Sequence, residues 1–353
     1  MIIPLLTTTI GAYPKPDYVA VIDWFKAEGG TVTQDPTKSY EAELAQMGGE
    51  AEDIFRRAAT EVITDQVSCG IDIPTDGEVR RENYIHYHCR HLNGIDFSEL
   101  TDVVLREGAY NARLPTITSP VSAKDIFLPH DYLAAQKATG RPVKVTIPGP
   151  MTIGDTVADG FYTDAKTRGS DLAIAINREV LALADAGCKH IQIDEPLFAR
   201  KASEALDFGI ENLERAFHGC PDDVIRTMHM CCGYPDCLDS TDYPKAPKDS
   251  YLQLAKAIDA SSIDAVSLED AHRHNDLSLL ELFTQTTVIL GVVAIASSRI
   301  ESVEEIKQRL SAALEHIGAN RLIAAPDCGL GMLDRTMAMT KLKNLCEAAH
   351  QLG

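Results

Sequence analysis

Short apolar runs alternate with amphipathic stretches along most of this chain. The runs are rich in β-branched residues and stop at Gly, Pro or acidic residues, the pattern of buried strands. About eight qualify: "LTTTIGA" (6–12), "IDIPTDGE" (71–78), "PVKVTIPG" (142–149), "HIQIDEP" (190–196), "VIRTMHMC" (224–231), "IDAVSLE" (263–269), "TTVILGVVAI" (286–295) and "RLIAAPDCG" (321–329). The stretches between them repeat apolar residues every three or four positions. In "SVEEIKQRLSAALEHIG", Val303, Ile306, Leu310, Ala313, Leu314 and Ile317 share a helical face, and Gly318 supplies a stop. "GEAEDIFRRAATEVITDQVSCG" and "RGSDLAIAINREVLALADAGC" follow the same period. Strand and helix in alternation predict an α/β fold of the (β/α)8 TIM barrel type. An open doubly wound sheet is the rival, but no GxGxxG follows the first strand. Residues 80–140 break the period with aromatics, prolines and polar residues. They read as an insertion between strands 2 and 3 of a single barrel spanning residues 1–353. A second irregular stretch, "GYPDCLDSTDYPKAPKD", follows the fifth strand.

Composition narrows the function classes. With 353 residues and 45% hydrophobic content, a large core is easily built. The net charge of −19 and the lack of a Lys/Arg cluster exclude a nucleic-acid footprint. Nine cysteines, an odd number at irregular spacing, argue against a disulfide framework and for a reducing compartment. The start, "MIIPLLTTTIGAYPKP", lacks the basic segment and cleavage site of a signal peptide. No apolar run nears the roughly 18 residues of a membrane span. The expected location is the cytoplasm, with no membrane partner; assembly into a homo-oligomer is compatible with all of this.

Chemistry in a barrel gathers at the C-terminal strand ends. Here those ends carry Glu78, Asp194, His229 with Cys231, Glu269, and Cys328. His229 and Cys231 are two apart on one strand and share a face, whereas Cys232 points away and Cys237 falls in the loop. A His and a thiolate on one face make half a zinc site, and Glu269 and Cys328 are available to complete it. Against this, cysteine is often just a small buried hydrophobe, and H-x-C arises by chance. Glu78 and Asp194 could equally cap helices or pair with arginine. His86, His88 and His91, in "NYIHYHCRH", read as packing and hydrogen-bonding residues of the insertion.

"TTTIGAYP", "TDGEVRRENY", "VTIPGPMTI", "HIQIDEP", "HMC", "SLED" and "APDCGLG" together resemble the catalytic barrel of the cobalamin-independent methionine synthase family, along nearly the whole chain. The resemblance implies a zinc-dependent methyltransferase that moves a methyl group onto the thiol of homocysteine to give methionine. The family's zinc ligands fall on His229, Cys231, Glu269 and Cys328. Glu78 and Asp194 would hold the amino group of homocysteine, and the backbone at Ile10, Gly11 and Ala12 its carboxylate. The family usually has Ser where Ala12 stands. Zinc would bind the substrate thiol as a thiolate at neutral pH, and Glu269, the harder ligand, would be the one displaced.

The sequence also departs from the family. The longer members have a second, N-terminal half, so the expectation here is a stand-alone barrel. Their Asp and His after the seventh strand are replaced by Ala294 and Ala296, and that His assists the folate leaving group. Their aromatic platform for the pterin is replaced by "GDTVADGFY", and the single Trp, Trp24, lies elsewhere. The thiol half of the reaction is therefore kept, while the donor could be methyltetrahydrofolate, a methylcorrinoid or another small methyl compound. His272 or His274 would then be the replacement acid. A second reading is a zinc alkyltransferase joining a coenzyme M-like thiol to an epoxide, although Glu78 and Asp194 suit an amino-acid thiol better than a sulfonate. A third is a non-catalytic binding protein for homocysteine or methionine.

Overall fold

Seven of the apolar runs meet in one curled parallel sheet. The computed structural model describes residues 4–21, 34–105, 110–235, 237–241 and 243–352; Trp24 lies outside them. Among the described residues ten strands form: β1 (Leu6–Thr7), β2 (Leu92–Leu105), β3 (Tyr110–Ala123), β4 (Lys144–Pro148), β5 (Ala158–Asp159), β6 (His190–Asp194), β7 (Ile225–Met230), β8 (Ala265–Leu268), β9 (Thr287–Val293) and β10 (Leu322–Pro326). The main sheet runs β1-β10-β9-β8-β7-β6-β4. Parallel strands covered by helices are buried on both faces, which is why their sequences read as apolar runs rather than as alternation. Isolated parallel bridges, Thr8 to Ile73 and Thr75 to Lys144, link the two outer strands through residues 73–75.

No regular strand forms over the expected 71–78. The Thr75 N–H donates to the side chains of Thr9 (3.1 Å) and Gln66 (3.1 Å), and Gln66 Nε2 donates back to the Thr75 carbonyl (2.9 Å). Side chains thus take the ladder bonds of Thr75, while backbone bonds such as Ile73 N–H to the Thr7 carbonyl (3.0 Å) and Lys144 N–H to the Pro74 carbonyl (2.8 Å) persist beside it. The run 6–12 is cut to Leu6–Thr7 for a related reason. Past Thr8 the chain turns, so that the Tyr13 N–H reaches the Gly77 carbonyl (3.1 Å) and the Leu330 N–H reaches that of Ala12 (2.6 Å).

The three helical patterns appear as Ala51–Ser68, Ala165–Asp185 and Val303–Ala313. Val303–Ala313 starts at a capping box. Ser302 Oγ accepts from the Glu305 N–H (3.2 Å), and the Glu305 carboxylate accepts from the Ser302 N–H (2.8 Å).

Residues 80–140 hold more order than their sequence suggests. After the helix Tyr84–Cys89, β2 and β3 form a long antiparallel hairpin, and β5 adds to β3 in parallel. Its register shifts twice, between Asn93 and Ile95 and between Asp96 and Thr101. Each shift moves the apolar residues to the other face, which hides the two-residue period. The segment is tied down by the Phe127 and Leu128 N–H groups, which donate to Glu179 (3.1 and 3.2 Å), and by the Val121 N–H, which donates to Tyr162 Oη (2.8 Å). All nine cysteines are free. Among the described residues no helix is long and apolar enough to cross a membrane.

Register sets up the site. Pro148 lies opposite Asp194, Asp194 opposite His229, and His229 opposite Ser267. From Asp194 through His229 to Ser267 this row near the C-terminal strand ends is therefore polar.

Candidate metal centre

His229 comes from β7, Cys231 from the residue after its end, and Cys328 from just past β10. Their ligating atoms all lie within 4.8 Å of one another. His229 is 2% exposed. Its Nδ1 meets Ser267 Oγ at 3.0 Å, which turns Nε2 toward the sulfurs, 3.2 Å from Cys328 Sγ. A second hydrogen bond of this kind fixes ring orientation and tautomer in metal sites. Proton sharing holds the Cys231 thiol well below the usual range. The hydrogen bond from Cys328 is the main cause, opposed by burial and helped by His229. Burial alone would lower the His229 pKa, but the hydrogen bond and charge of Cys231 hold it above the ordinary value. One imidazole and two sulfurs that share protons in a buried space are a donor set that fits a thiophilic divalent ion.

Glu269, the fourth expected ligand, sits just past β8 and is 1% exposed. It stands apart from that trio. One carboxylate oxygen accepts from the Cys232 N–H (3.0 Å), and the other is paired with Lys245. It belongs instead to a neighbouring group with His272 and Asp327. Cys232 faces away, its sulfur donating to Tyr251 Oη at 3.2 Å and accepting from Arg273 at 3.2 Å. Burial pushes its thiol up to about 11. Cys237 is exposed. Cys232→Ala is therefore expected to keep the full metal stoichiometry by elemental analysis; loss of metal would make Cys232 a ligand.

Two carboxylates flank the trio. Burial pushes Asp194 up to about 7, with Glu78 nearby adding to the rise and His229 opposing it. Asp194 takes a hydrogen bond from Gln192 Nε2 (2.7 Å). Glu78 has a left-handed backbone (φ 57°) and accepts from Thr146 Oγ1 (2.7 Å) and Arg81 (3.1 Å). A Cβ on Gly11 would come within 2.8 Å of the Glu78 carboxylate, so glycine lets the two segments touch. The carbonyls of Ile10, Gly11 and Ala12 already accept from Gln192, Thr75 and Leu330. Among the described residues, the N–H groups of Ile10, Gly11 and Ala12 have no hydrogen-bond acceptor.

Sequence patterns do not reveal Ser267, Arg81, Tyr84, Tyr234 or Lys245. Tyr84 and Tyr234 are half-buried beside the two sulfurs. Burial pushes both phenols well up, helped for Tyr84 by Asp194 and for both by the cysteines. Arg81 and Tyr84 lie in "RRENY", one residue beyond "TDGE", and their nearness to Glu78 in the chain is the one available hint of them.

His272 and His274 are differently placed. Asp327 accepts from the backbone N–H of Asp270, Ala271 and His272 (3.0, 2.8 and 2.8 Å) and lies 2.6 Å from His272 Nδ1. His272 Nε2 accepts from the Ala296 N–H (3.1 Å). The proton of a neutral His272 therefore sits on Nδ1, against Asp327. Both ring nitrogens of His272, the residue expected from sequence as a replacement acid, are thus engaged by Asp327 and the Ala296 N–H. The His274 side chain is 66% exposed and pairs with Asp270 at 3.2 Å. Ala294 is held through its backbone by Glu301 (3.0 Å) and Lys341 (3.0 Å). In the segment after β4, Tyr162 is bonded to Asp171 (2.6 Å) and to β3. His86 meets Thr37 (2.8 Å) and the Thr156 carbonyl (3.1 Å), and His91 stacks on Phe127 (3.8 Å between ring centroids).

Comparison with known proteins gives a consistent picture. The sequence profile of the family described as "Cobalamin-independent synthase, Catalytic domain" matches residues 5–351. A methionine synthase of Sulfolobus acidocaldarius is 29% identical over 346 residues, covering 97% of this chain and 90% of that protein. The solved structure of a B12-independent methionine synthase from Shewanella sp. W3-18-1, in complex with selenomethionine, is 31% identical with a TM-score of 0.84. It covers 98% of this chain and 97% of that one. A methyltransferase from Methanosarcina mazei shares the fold at a TM-score of 0.60 and 11% identity, covering 99% of this chain and 95% of that one.

Proposed function

The chain belongs to the cobalamin-independent synthase catalytic-domain family, a family of methyltransferases, and from that premise we propose that it transfers a methyl group to the thiol of homocysteine, giving methionine. The observation that carries this reading is the convergence of His229, Cys231 and Cys328 beside the carboxylates Glu78 and Asp194. In this reading the seven strands and residues 71–78 make one closed (β/α)8 barrel over 1–353, with 80–140 inserted. Nine free cysteines suit a cytoplasmic setting.

His229, Cys231 and Cys328 would hold a zinc ion. Zinc, when bound, supplies a Lewis acid that keeps a thiol ionised at neutral pH. Glu78 and Asp194 receive the substrate ammonium, and the N–H groups of Ile10 to Ala12 its carboxylate. The homocysteine sulfur uses a lone pair to take the methyl carbon. The bond from that carbon to its donor breaks with both electrons staying on the donor, and the thiol proton leaves. The donor is methyltetrahydrofolate, a methylcorrinoid or another small methyl compound. A sulfonate thiol such as coenzyme M fits less well, since Glu78 and Asp194 would repel its anion.

Purified protein supplied with zinc, homocysteine and each methyl donor in turn tests the proposal. Methionine detected by mass spectrometry supports it; no methionine from any donor, with coenzyme M alkylated instead, rejects it. We further propose that Glu269 completes the metal site by exchanging Lys245 for the ion. X-ray absorption of the zinc form with and without homocysteine is expected to show an oxygen neighbour replaced by sulfur, and an unchanged set of neighbours would count against Glu269.

A further inference from the structure

At the opposite end of the parallel sheet lies a cavity of about 800 Å³. Its walls include the first residues of several strands: Lys144 of β4, His190 of β6, Ile225 of β7 and Ala265 of β8, together with Thr227 and Ile289. In barrels of this class the interior is packed with bulky branched side chains. Here Ala265 and Thr227 stand at inward positions and leave space.

Lys144 distinguishes this cavity from a packing defect. It is 2% exposed, and its Nζ has no hydrogen-bond partner among the described residues. A buried ammonium without a counter-ion is costly. Burial accordingly lowers its pKa to about 7, opposed by the charge of Asp194. The neighbouring His190 is lowered to about 4 by burial and stays neutral. Asp264, an acid in the wall, is engaged by Arg226 through two bonds of 2.8 Å. Among the described residues the wall thus offers an amine without a hydrogen-bond partner amid apolar surface, in a volume typical of small-molecule sites.

We propose that this N-terminal mouth binds a small apolar carboxylate, its acid group paired with Lys144 Nζ and its hydrocarbon chain lying along Ile225 and Ile289. A charged head and an apolar tail match the two features of the wall. The mouth lies at the other end of the strands from the metal centre, and the proposal does not depend on the methyl-transfer reading.

Calorimetric titration of the full chain with octanoate and with octanol tests this. Octanoate is expected to bind one to one, and octanol roughly tenfold or more weaker, since it cannot form the charged pair. Lys144→Met, which removes an unpaired amine and keeps the side-chain length, should weaken octanoate by a similar factor and leave octanol unchanged. Failure of octanoate to bind, or equal binding to the variant, would overturn the proposal. A second readout needs no variant: reductive methylation followed by peptide mass mapping. Octanoate is expected to protect Lys144 while surface lysines react as before. Lys144 modified equally with and without octanoate, or unreactive in both, would also overturn it.

Discussion

Cys231→Ser is expected to cost the protein its metal and its activity. Serine keeps the shape of the side chain but replaces a soft, readily ionised sulfur with a hydroxyl that stays protonated at neutral pH. Cys231 is the sulfur best prepared to bind, because its proton is already drawn down by Cys328 and His229. Zinc sites of sulfur and imidazole hold their ion with about 10–16 kcal/mol, so one ligand in four accounts for roughly 3 kcal/mol, or about a hundredfold in affinity. Dialysis against a moderate chelator followed by elemental analysis should leave the wild type loaded and the variant empty, with methionine formation lost in parallel. The Cys232→Ala protein, one residue away, is the control. A serine variant that kept stoichiometric zinc would remove Cys231 from the site.

Asp194→Asn should separate substrate binding from metal binding. The two side chains have the same shape, and the amide oxygen can still accept from Gln192, whose Nε2 lies 2.7 Å from the carboxylate. What disappears is the charge that, in the proposed reading, meets the ammonium group of homocysteine. Hydrogen bonds to charged groups contribute about 1.5–3 kcal/mol, so the Michaelis constant for homocysteine should rise roughly 10- to 150-fold. Zinc content should not change, and a thiol lacking the amino group, such as 4-mercaptobutanoate, should be used no worse than by the wild type. Equal losses for both thiols would mean that Asp194 acts on the sulfur end instead. Asp194 is the better choice for this test than Glu78, whose loss would strand the buried Arg81 without its carboxylate.

Strand alternation alone pairs His229 with Cys231 and turns Cys232 away, because the face on which a strand residue lies depends only on its position. The end of an apolar run likewise locates Glu269 and Cys328. Neither pattern reaches Lys245, which grips Glu269 from an irregular loop with no period to read. Nor does either show that Asp327 and Ala296 occupy both nitrogens of His272, since those contacts join three separate segments. In the hairpin of β2 and β3, two register shifts erase the alternation that would have announced it. Residues 71–78 misled in the other direction. Their composition is that of a strand, but Gln66 and Thr9 take the bonds that a strand needs. Lys144 is silent for a further reason: a single charge in "PVKVTIPG" looks like a solvent-facing position until the surrounding strands bury it.

Asp327 accepts the N–H groups of residues 270, 271 and 272 directly before Cys328, and β9 is pressed against it where a Cβ on Gly291 would come within 2.3 Å of its carboxylate. Mechanically, Glu269 and Cys328 are mounted on the same block. A hinge in one loop cannot carry Glu269 toward or away from the metal without dragging Cys328 along. Any exchange at Glu269 must come from torsion of its own side chain, a swing of a few ångströms on a stationary mount. Loaded and substrate-bound forms should then superimpose in their backbones across all three segments while the carboxylate changes sides.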